Sequence, residues 1–446
     1  METLFTSIVG GVGLRDRILS VIRDAVARAA NHHVDVHIMT FAFTDADIAD
    51  LLVEAARTRP NLAIRLIADW NQGAPSKVKG VKDDSGRKVR ALAALGLSNL
   101  EVRYKKDQPY VWDADAGRMR WSYHASRGLL HHKTLSVLID GRPHTLVCGS
   151  FNWSIRSVKG YENLIVFTSD DPASMAVMTA VEREFEALWS DGAATLWPDE
   201  VRAHYAAILA EYRKDSACAP DKVVGVTRGA GAPLDVLRVA EHTGAAGLPH
   251  QQIAFNSRLP EQAEAAAGYA EANRRRRFEM YKPGGKTKQV PVTLSTLALD
   301  TIARAQPGEH LLVAMYVLSV RVPEYGALLA AARRGVRLFI LVDGHVGAKP
   351  LSRLATMAYA KEKLPIHFRA TGSRAMHQKY IVHPEGQTVL TGTANLSTDA
   401  SQRHSEHRIL WRGDQKATDA FIADFMTMWQ RLPPPFGAVR EGRIET

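Results

Sequence analysis

The sequence predicts an α/β protein of two homologous lobes. Each is a mixed β-sheet flanked by helices, and the two pair by pseudo-twofold symmetry. Three echoes, in the same order in each half, predict it. Residues 34–70 and 309–344 both read as apolar strand, polar turn, helix and second apolar strand. Residues 129–154 (LLHHKTLSVLIDGRPHTLVCGSFNWS) echo 375–397 (AMHQKYIVHPEGQTVLTGTANLS). EFEALW at 184–189 echoes DFMTMW at 424–429.

Each element has a physical reason. Ile48, Leu51, Leu52 and Ala55 recur at helical spacing, as do Leu328, Leu329 and Ala332. The runs Leu62–Ala68 and Val336–Val342 suit parallel strands covered on both faces, and each ends at an acid, Asp69 and Asp343. A strand–helix–strand crossover of this kind is right-handed. Phe185/Trp189 and Phe425/Trp429 stand at i, i+4 and pack a closing helix onto each sheet. The lobes are 1–195, with an insertion at 71–128, and 290–446 with its tail. A helical and basic segment, 196–289, connects them. Within it Glu200–Lys214 and Gln262–Met280 read as helices, the second carrying Arg274, Arg275, Arg276 and Arg277. Gly229–Pro233 and Pro283–Gly285 are breaks.

Composition bounds the function. The 446 residues are 46% hydrophobic and 23% charged, which excludes a collagen, a long disordered chain and a coiled coil. Two cysteines, Cys148 and Cys218, exclude a disulfide framework and a cysteine-built zinc site. The longest uncharged apolar run, Leu311–Val320, is half of the roughly 20 residues a membrane span needs. The N-terminus has Glu2 and no basic start, so a cytoplasmic location is expected. Lys and Arg number 57 against 47 acids, a net charge of +10 that favours a polyanionic partner, nucleic acid or an anionic membrane.

The second echo carries the chemistry. His131 and Lys133 open a strand in one lobe, and His377 and Lys379 in the other. Residues i and i+2 of a strand project together, so His132 faces the opposite way. The returning strands end in Gly149-Ser150-x-Asn152 and Gly392-Thr393-x-Asn395. Glu162 and Glu406 follow ten and eleven residues past the asparagines. Ammonium, hydroxyl and amide groups bind phosphate oxygens, and a carboxylate fixes the tautomer of an imidazole. One histidine attacks phosphorus; the other protonates the leaving alcohol and later activates water. No cofactor and no metal enter this chemistry. The Gly-Gly-Val-Gly run at 10–13 lacks the Lys-Ser/Thr and the preceding strand of a phosphate loop.

These residues resemble the phospholipase D superfamily, whose signature is His-x-Lys, four residues, Asp, then Gly-Ser-x-Asn, usually present twice. The resemblance implies a covalent phosphohistidine, with His131 as the nucleophile because the N-terminal histidine commonly serves in fused members. It implies catalytic roles for His131, Lys133, Asn152, Glu162, His377, Lys379, Asn395 and Glu406. Two departures stand out. Asp140 arrives six residues after Lys133 and begins an Asp-Gly hairpin turn; Pro384 occupies the Asp position of the second motif. Substrate contacts are assigned to Ser150 and Thr393, with Arg274–Arg277 tracking phosphates. The first expectation is a nuclease. The alternatives are a phospholipase D or phosphatidyltransferase at a membrane, and a non-catalytic phosphate clamp.

Overall fold

Apolar runs and turn chemistry fold each half of the chain around a mixed sheet. The computed structural model describes residues 1–73, 86–105, 110–113, 118–121, 129–190, 195–201, 203, 240–242, 250–256, 277–346, 362–402 and 404–432. The N-terminal half supplies β1 (Glu2–Phe5), β2 (Val34–Thr40), β3 (Leu62–Asp69), β4 (Leu100–Lys105), a separate hairpin β5 (Tyr110–Asp113) and β6 (Arg118–Trp121), β7 (Lys133–Ile139), β8 (Arg142–Gly149), β9 (Asn163–Thr168) and β10 (Thr195–Leu196). Its sheet runs β1-β9-β8-β7-β2-β3-β4-β10.

The C-terminal half supplies β11 (Ala240–His242), β12 (His250–Asn256), a hairpin β13 (Arg277–Lys282) and β14 (Lys286–Pro291), β15 (His310–Met315), β16 (Arg337–Asp343), β17 (Ile366–Thr371), β18 (Lys379–His383), β19 (Thr388–Gly392) and β20 (Glu406–Arg412). Its sheet runs β11-β12-β20-β19-β18-β15-β16-β17. The six-strand order β9-β8-β7-β2-β3-β4 recurs as β20-β19-β18-β15-β16-β17, so the duplication read from sequence is a duplication of topology. The three strands from β2 to β4, and from β15 to β17, are parallel, with crossover helices Ala46–Thr58 and Pro323–Arg333 in the first step of each.

The core has three parts. One cluster lies between the N-terminal sheet and helices Thr6–Arg28 and Ala46–Thr58; its counterpart lies under Leu294–Arg304 and Pro323–Arg333. The third joins the lobes. It contains Ile165, Phe167 and Phe185 of one half with Ile409, Trp411 and Phe425 of the other. The closing helices Pro172–Ser190 and Gln415–Arg431 are built into it, and their aromatic pairs stack: Phe185 on Trp189 and Phe425 on Trp429, both at 5.6 Å between centroids. Arg103 of β4 and Arg369 of β17 lie over the two tryptophans at 4.3 and 4.6 Å.

Two expectations need correction. Residues 262–276 lie outside the described residues, but 277–282 form a strand where a helix running to Met280 was expected. Buried Phe278 alternates with exposed Glu279, and Gly284 and Gly285 turn the chain at φ 98° and 78°, so hairpin pairing overrides the helical propensity upstream. The 196–289 segment is also more than a connector, because β12 pairs along all of β20 and extends the C-terminal sheet. Most of the Glu200–Lys214 helix lies outside the described residues. Among the described residues no helix is long and apolar enough to cross a membrane.

Glycine matters at two kinds of turn. Asp140 and Gly141 close the β7–β8 hairpin with φ 49° and 75°, the backbone of a type I′ turn. Gly149 and Gly392 end β8 and β19 at φ 142° and 140°, and a Cβ on Gly149 would lie 2.6 Å from the Asn163 carbonyl oxygen. Open space surrounds the Cβ position of Gly141. Gly141→Ala is therefore expected to cost about 1 kcal/mol from backbone strain alone. Gly149→Ala adds a backbone collision and is expected to cost about 2 kcal/mol or more. Urea denaturation of the two variants checks the order.

Candidate active site

The site forms where the two His-x-Lys segments meet across the lobe boundary. The acids that end the second parallel strands hold them. Asp69 accepts the N–H of Leu130 at 2.8 Å, and Asp343 accepts that of Met376 at 3.0 Å. Each segment then pairs with the opposite lobe. The His131 N–H donates to the Ser405 carbonyl at 2.9 Å and the Ser405 N–H to Leu129 at 2.7 Å. The His377 N–H donates to Tyr161 at 2.9 Å and the Tyr161 N–H to Ala375 at 2.8 Å.

The glutamates cross over in the same way. His131 Nδ1 lies 2.9 Å from Glu406 Oε2, and His377 Nδ1 lies 2.8 Å from Glu162 Oε2. Each imidazole is oriented by the other lobe's carboxylate. The Ser150 carbonyl is a second acceptor for His377 Nδ1, at 3.1 Å. Acceptors at Nδ1 place the proton there and leave Nε2 with its lone pair. The two imidazole centroids are 6.5 Å apart. One reacting centre about 3–3.5 Å from a nitrogen of each ring needs roughly that spacing.

Lys133 donates to the His131 carbonyl at 2.7 Å and Lys379 to the His377 carbonyl at 2.6 Å. Phe41 and Tyr316, just past β2 and β15, wall the site symmetrically. Their rings lie 5.1 and 4.9 Å from His131 and His377, and each has a lysine Nζ at 5.4 Å. Asn395 accepts the Val317 N–H at 3.2 Å, which leaves its NH₂ to donate. The Asn152 Oδ1 is buried without a partner.

Burial governs the protonation of these groups. It pushes His131 down to about 3, with Glu406 opposing, and lowers His377 against Glu162. It brings Lys133 down to about 7 and Lys379 to about 8. Burial alone would raise Glu406, but His131 and His404 outweigh it and hold the carboxyl well below its usual range. An empty site is thus short of positive charge, and an arriving anion favours the protonated forms. Inorganic phosphate binding at pH 8 is expected to take up about one proton, chiefly at Lys133. Calorimetry in buffers of different ionisation enthalpy measures this, and binding without proton exchange would contradict it.

The remaining sequence assignments fall differently. Ser150 and Thr393 are fully buried, and their hydroxyls accept the N–H of Asn163 at 2.9 Å and of His407 at 3.0 Å. They dock the residue after each glutamate instead of facing a ligand, because the Gly-Ser/Thr turn packs directly on that strand. Asp140 is exposed and bonds His32 and His33, so it is a turn residue. Arg274, Arg275 and Arg276 lie outside the described residues, and Arg277 begins β13.

Sequence reasoning missed the roles of Asp69, Asp343, Phe41, Tyr316 and His404. The echo contained the signal for the first four, which align between halves. His404 has no counterpart, since Gly160 stands at the matching position; its ring is 5.6 Å from His131 and its Nδ1 is 3.4 Å from Glu406 Oε1. His131, His404 and Glu406 are one of two groups among the described residues whose donor atoms approach closely enough for a metal; the other is His37, Glu182 and Glu186.

A second exchange lies on the far side of each His-x-Lys. Gln378 accepts from Asn163 Nδ2 at 2.7 Å and donates to Asp424 at 3.1 Å. Tyr380 and Ser7 also donate to Asp424. In the matching place His132 Nδ1 lies 3.0 Å from His407 Nδ1, with Glu184 at 4.0 Å from Nε2. The two lobes thus build one latch from different chemistry. Burial holds His132 well below its ordinary value and His407 at about 4. Both are neutral when folded and protonate near 6.5 when unfolded, so their contribution is full above pH 6.5 and is lost as pH falls toward 4. Replacing both by the other lobe's residues, His132→Gln with His407→Asn, is expected to make stability decline less steeply between pH 7 and 5 in urea titrations.

The sheet order, the duplicated His-x-Lys segments and the crossed glutamates define a two-lobe member of the phospholipase D superfamily. Residues 25–189 and 298–429 match the family described as "Cardiolipin synthase, PLD-like domain", and the chain belongs to that family. Phosphatidylserine synthase from Haemophilus influenzae Rd KW20 has a similar fold, with TM-score 0.55 and 12% identity over 93% of this chain and 85% of that one. The phospholipase D family member Nuc from Salmonella typhimurium is 20% identical over 42% of this chain and 99% of its own, with TM-score 0.29. A search of curated proteins gave no match.

Proposed function

We propose that this protein cleaves phosphodiesters through a covalent phosphohistidine and that its substrate is a membrane phospholipid. The observation that carries the chemistry is the facing pair of imidazoles, 6.5 Å apart, each held by a carboxylate from the other lobe. In this reading His131 Nε2 attacks phosphorus and the bond to the leaving alcohol breaks. His377, protonated once the anionic substrate is bound, gives its proton to that alcohol. It then takes a proton from water or an acceptor alcohol, whose oxygen displaces His131 from phosphorus. Lys133, Lys379 and the carboxamides of Asn152 and Asn395 stabilise the phosphoryl oxygens. Glu162 and Glu406 keep Nδ1 protonated and stabilise each imidazolium.

Phospholipid replaces nucleic acid as the first choice because of the family description, cardiolipin synthase, supported by the fold shared with phosphatidylserine synthase across most of both chains. The net charge of +10 suits an anionic membrane as well as a nucleic acid.

His131→Asn and His377→Asn are each expected to lower turnover by about a thousandfold or more while leaving the fold intact. Wild type is expected to keep full activity in excess chelator. The assay presents phosphatidylcholine/phosphatidylglycerol vesicles, single- and double-stranded DNA, and RNA in parallel. Head-group release or exchange by wild type alone supports the lipid reading. Cleavage of nucleic acid alone would replace it with a nuclease, and near-normal activity of either variant would end the two-histidine mechanism.

A further inference from the structure

The Gly-Gly-Val-Gly run at 10–13 shapes a surface. Gly10 breaks the helix Thr6–Arg28 with φ 76° and ψ 162°, so its first turn leaves the axis of the rest. Gly11 packs against the backbone of Val158, where any Cβ would collide. These two glycines bring the start of the first helix onto the short helix Ile155–Val158, three residues past Asn152. Four large apolar side chains are left in water there: Ile8 at 54%, Val9 at 45%, Val12 at 56% and Ile155 at 61% exposure. Seven large hydrophobics are exposed among the described residues, and these four are the most exposed of them, so they mark a patch and not a scatter.

The patch has a cationic border. Arg156 and Lys159 are exposed on the same short helix and its end. Arg431 donates to the Ser7 carbonyl at 3.2 Å and Arg374 to the Gly160 carbonyl at 3.0 Å, which brings two more guanidiniums to the first helical turn. The acids nearby are partly committed: Glu2 pairs with Arg17 at 2.9 Å. The elements that carry the patch also adjoin the catalytic segments. The Thr6 hydroxyl accepts the N–H of Glu162 at 2.9 Å, and Arg156 acts electrostatically on Tyr316, the ring against His377.

We infer that Ile8, Val9, Val12 and Ile155, bordered by Arg156 and Lys159, dock the protein on an anionic phospholipid bilayer and hold the cleft at its surface. Apolar side chains on short helical turns enter the boundary between head groups and acyl chains, while the basic border contacts anionic head groups. The inference rests on the phospholipid reading of the site, yet it is tested by binding and not by turnover.

The test is vesicle flotation with the full chain. Wild type is expected to float with equimolar phosphatidylcholine/phosphatidylglycerol vesicles and far less with phosphatidylcholine alone. A variant carrying Ile8→Ser, Val9→Ser, Val12→Ser and Ile155→Ser is expected to lose binding by about tenfold or more. Its circular dichroism and its hydrolysis of soluble bis(p-nitrophenyl) phosphate are expected to match wild type. The pair Arg156→Glu and Lys159→Glu is expected to remove the preference for anionic vesicles. Equal flotation of wild type and the serine variant would overturn the inference. So would a wild type that ignores vesicles but sediments as a dimer which the serine variant dissociates, since the patch would then face a second copy. Patch-dependent flotation without head-group release keeps the docking surface and defeats the phospholipid reading. Head-group release with patch-independent binding does the reverse.

Discussion

The exchange of carboxylates between lobes is the constraint on which the rest depends. Glu406 of the C-terminal lobe holds His131, and Glu162 of the N-terminal lobe holds His377. Neither lobe alone pairs its own His-x-Lys histidine with a glutamate. A buried carboxylate that loses its partner is strongly destabilising, and separating the lobes would take His377 from Glu162 and leave Glu406 with His404 alone. The parallel backbone bridges Leu130–Ser405 and Tyr161–Met376 fix the distance across which the exchange occurs. The shared aromatic core behind them makes that arrangement rigid. Interface and active site are therefore one structure.

The same burial sets the electrostatics. Two lysines and two histidines converge in a place where water cannot solvate their charges, and Glu162 and Glu406, with Asp69 acting on Lys133, oppose them. Desolvation wins over those carboxylates and depresses every base in the group. In the proposed reaction a phosphodiester supplies the missing negative charge. Its arrival would favour the ammonium forms that bind it and the imidazolium proposed as the acid, which would make substrate binding and proton loading a single event. A neutral ligand of the same shape gains none of this.

Duplication made the fold legible. A lone apolar run of seven residues is ambiguous, but the pairs Leu62–Ala68 with Val336–Val342 and Phe185/Trp189 with Phe425/Trp429 each confirm the other, and all became the elements expected. His-x-Lys parity also held: His131 and His132 face different neighbours, Glu406 and His407. Spacing along one chain carries no information about which lobe a side chain reaches, so the crossing of the glutamates was invisible. Ser150 and Thr393 were misread because their hydroxyl chemistry suits phosphate as well as a backbone N–H, and only the packing of the Gly-Ser/Thr turn on β9 and β20 decides. The strand at Arg277–Lys282 was lost because an alanine-rich run upstream signals helix, while strand pairing with Lys286–Pro291 is a non-local gain.

In the proposed mechanism one histidine attacks while the other delivers a proton, and a symmetric fold supports such a reaction only where its halves differ. The differences gather around His131. Glu406 receives a second imidazole, His404, where the other half has Gly160. That contact helps hold the carboxyl well below its ordinary range, which secures the proton on His131 Nδ1 and keeps Nε2 bare. His131 is also the more enclosed side chain, at 8% exposure against 14% for His377. An enclosed imidazole with a fixed tautomer suits attack on phosphorus and shelters the resulting bond from stray water. The more open His377 suits exchange of protons with a leaving alcohol and an incoming one. In the proposed mechanism the departures from symmetry, more than the motif that both halves share, divide the labour between the two histidines.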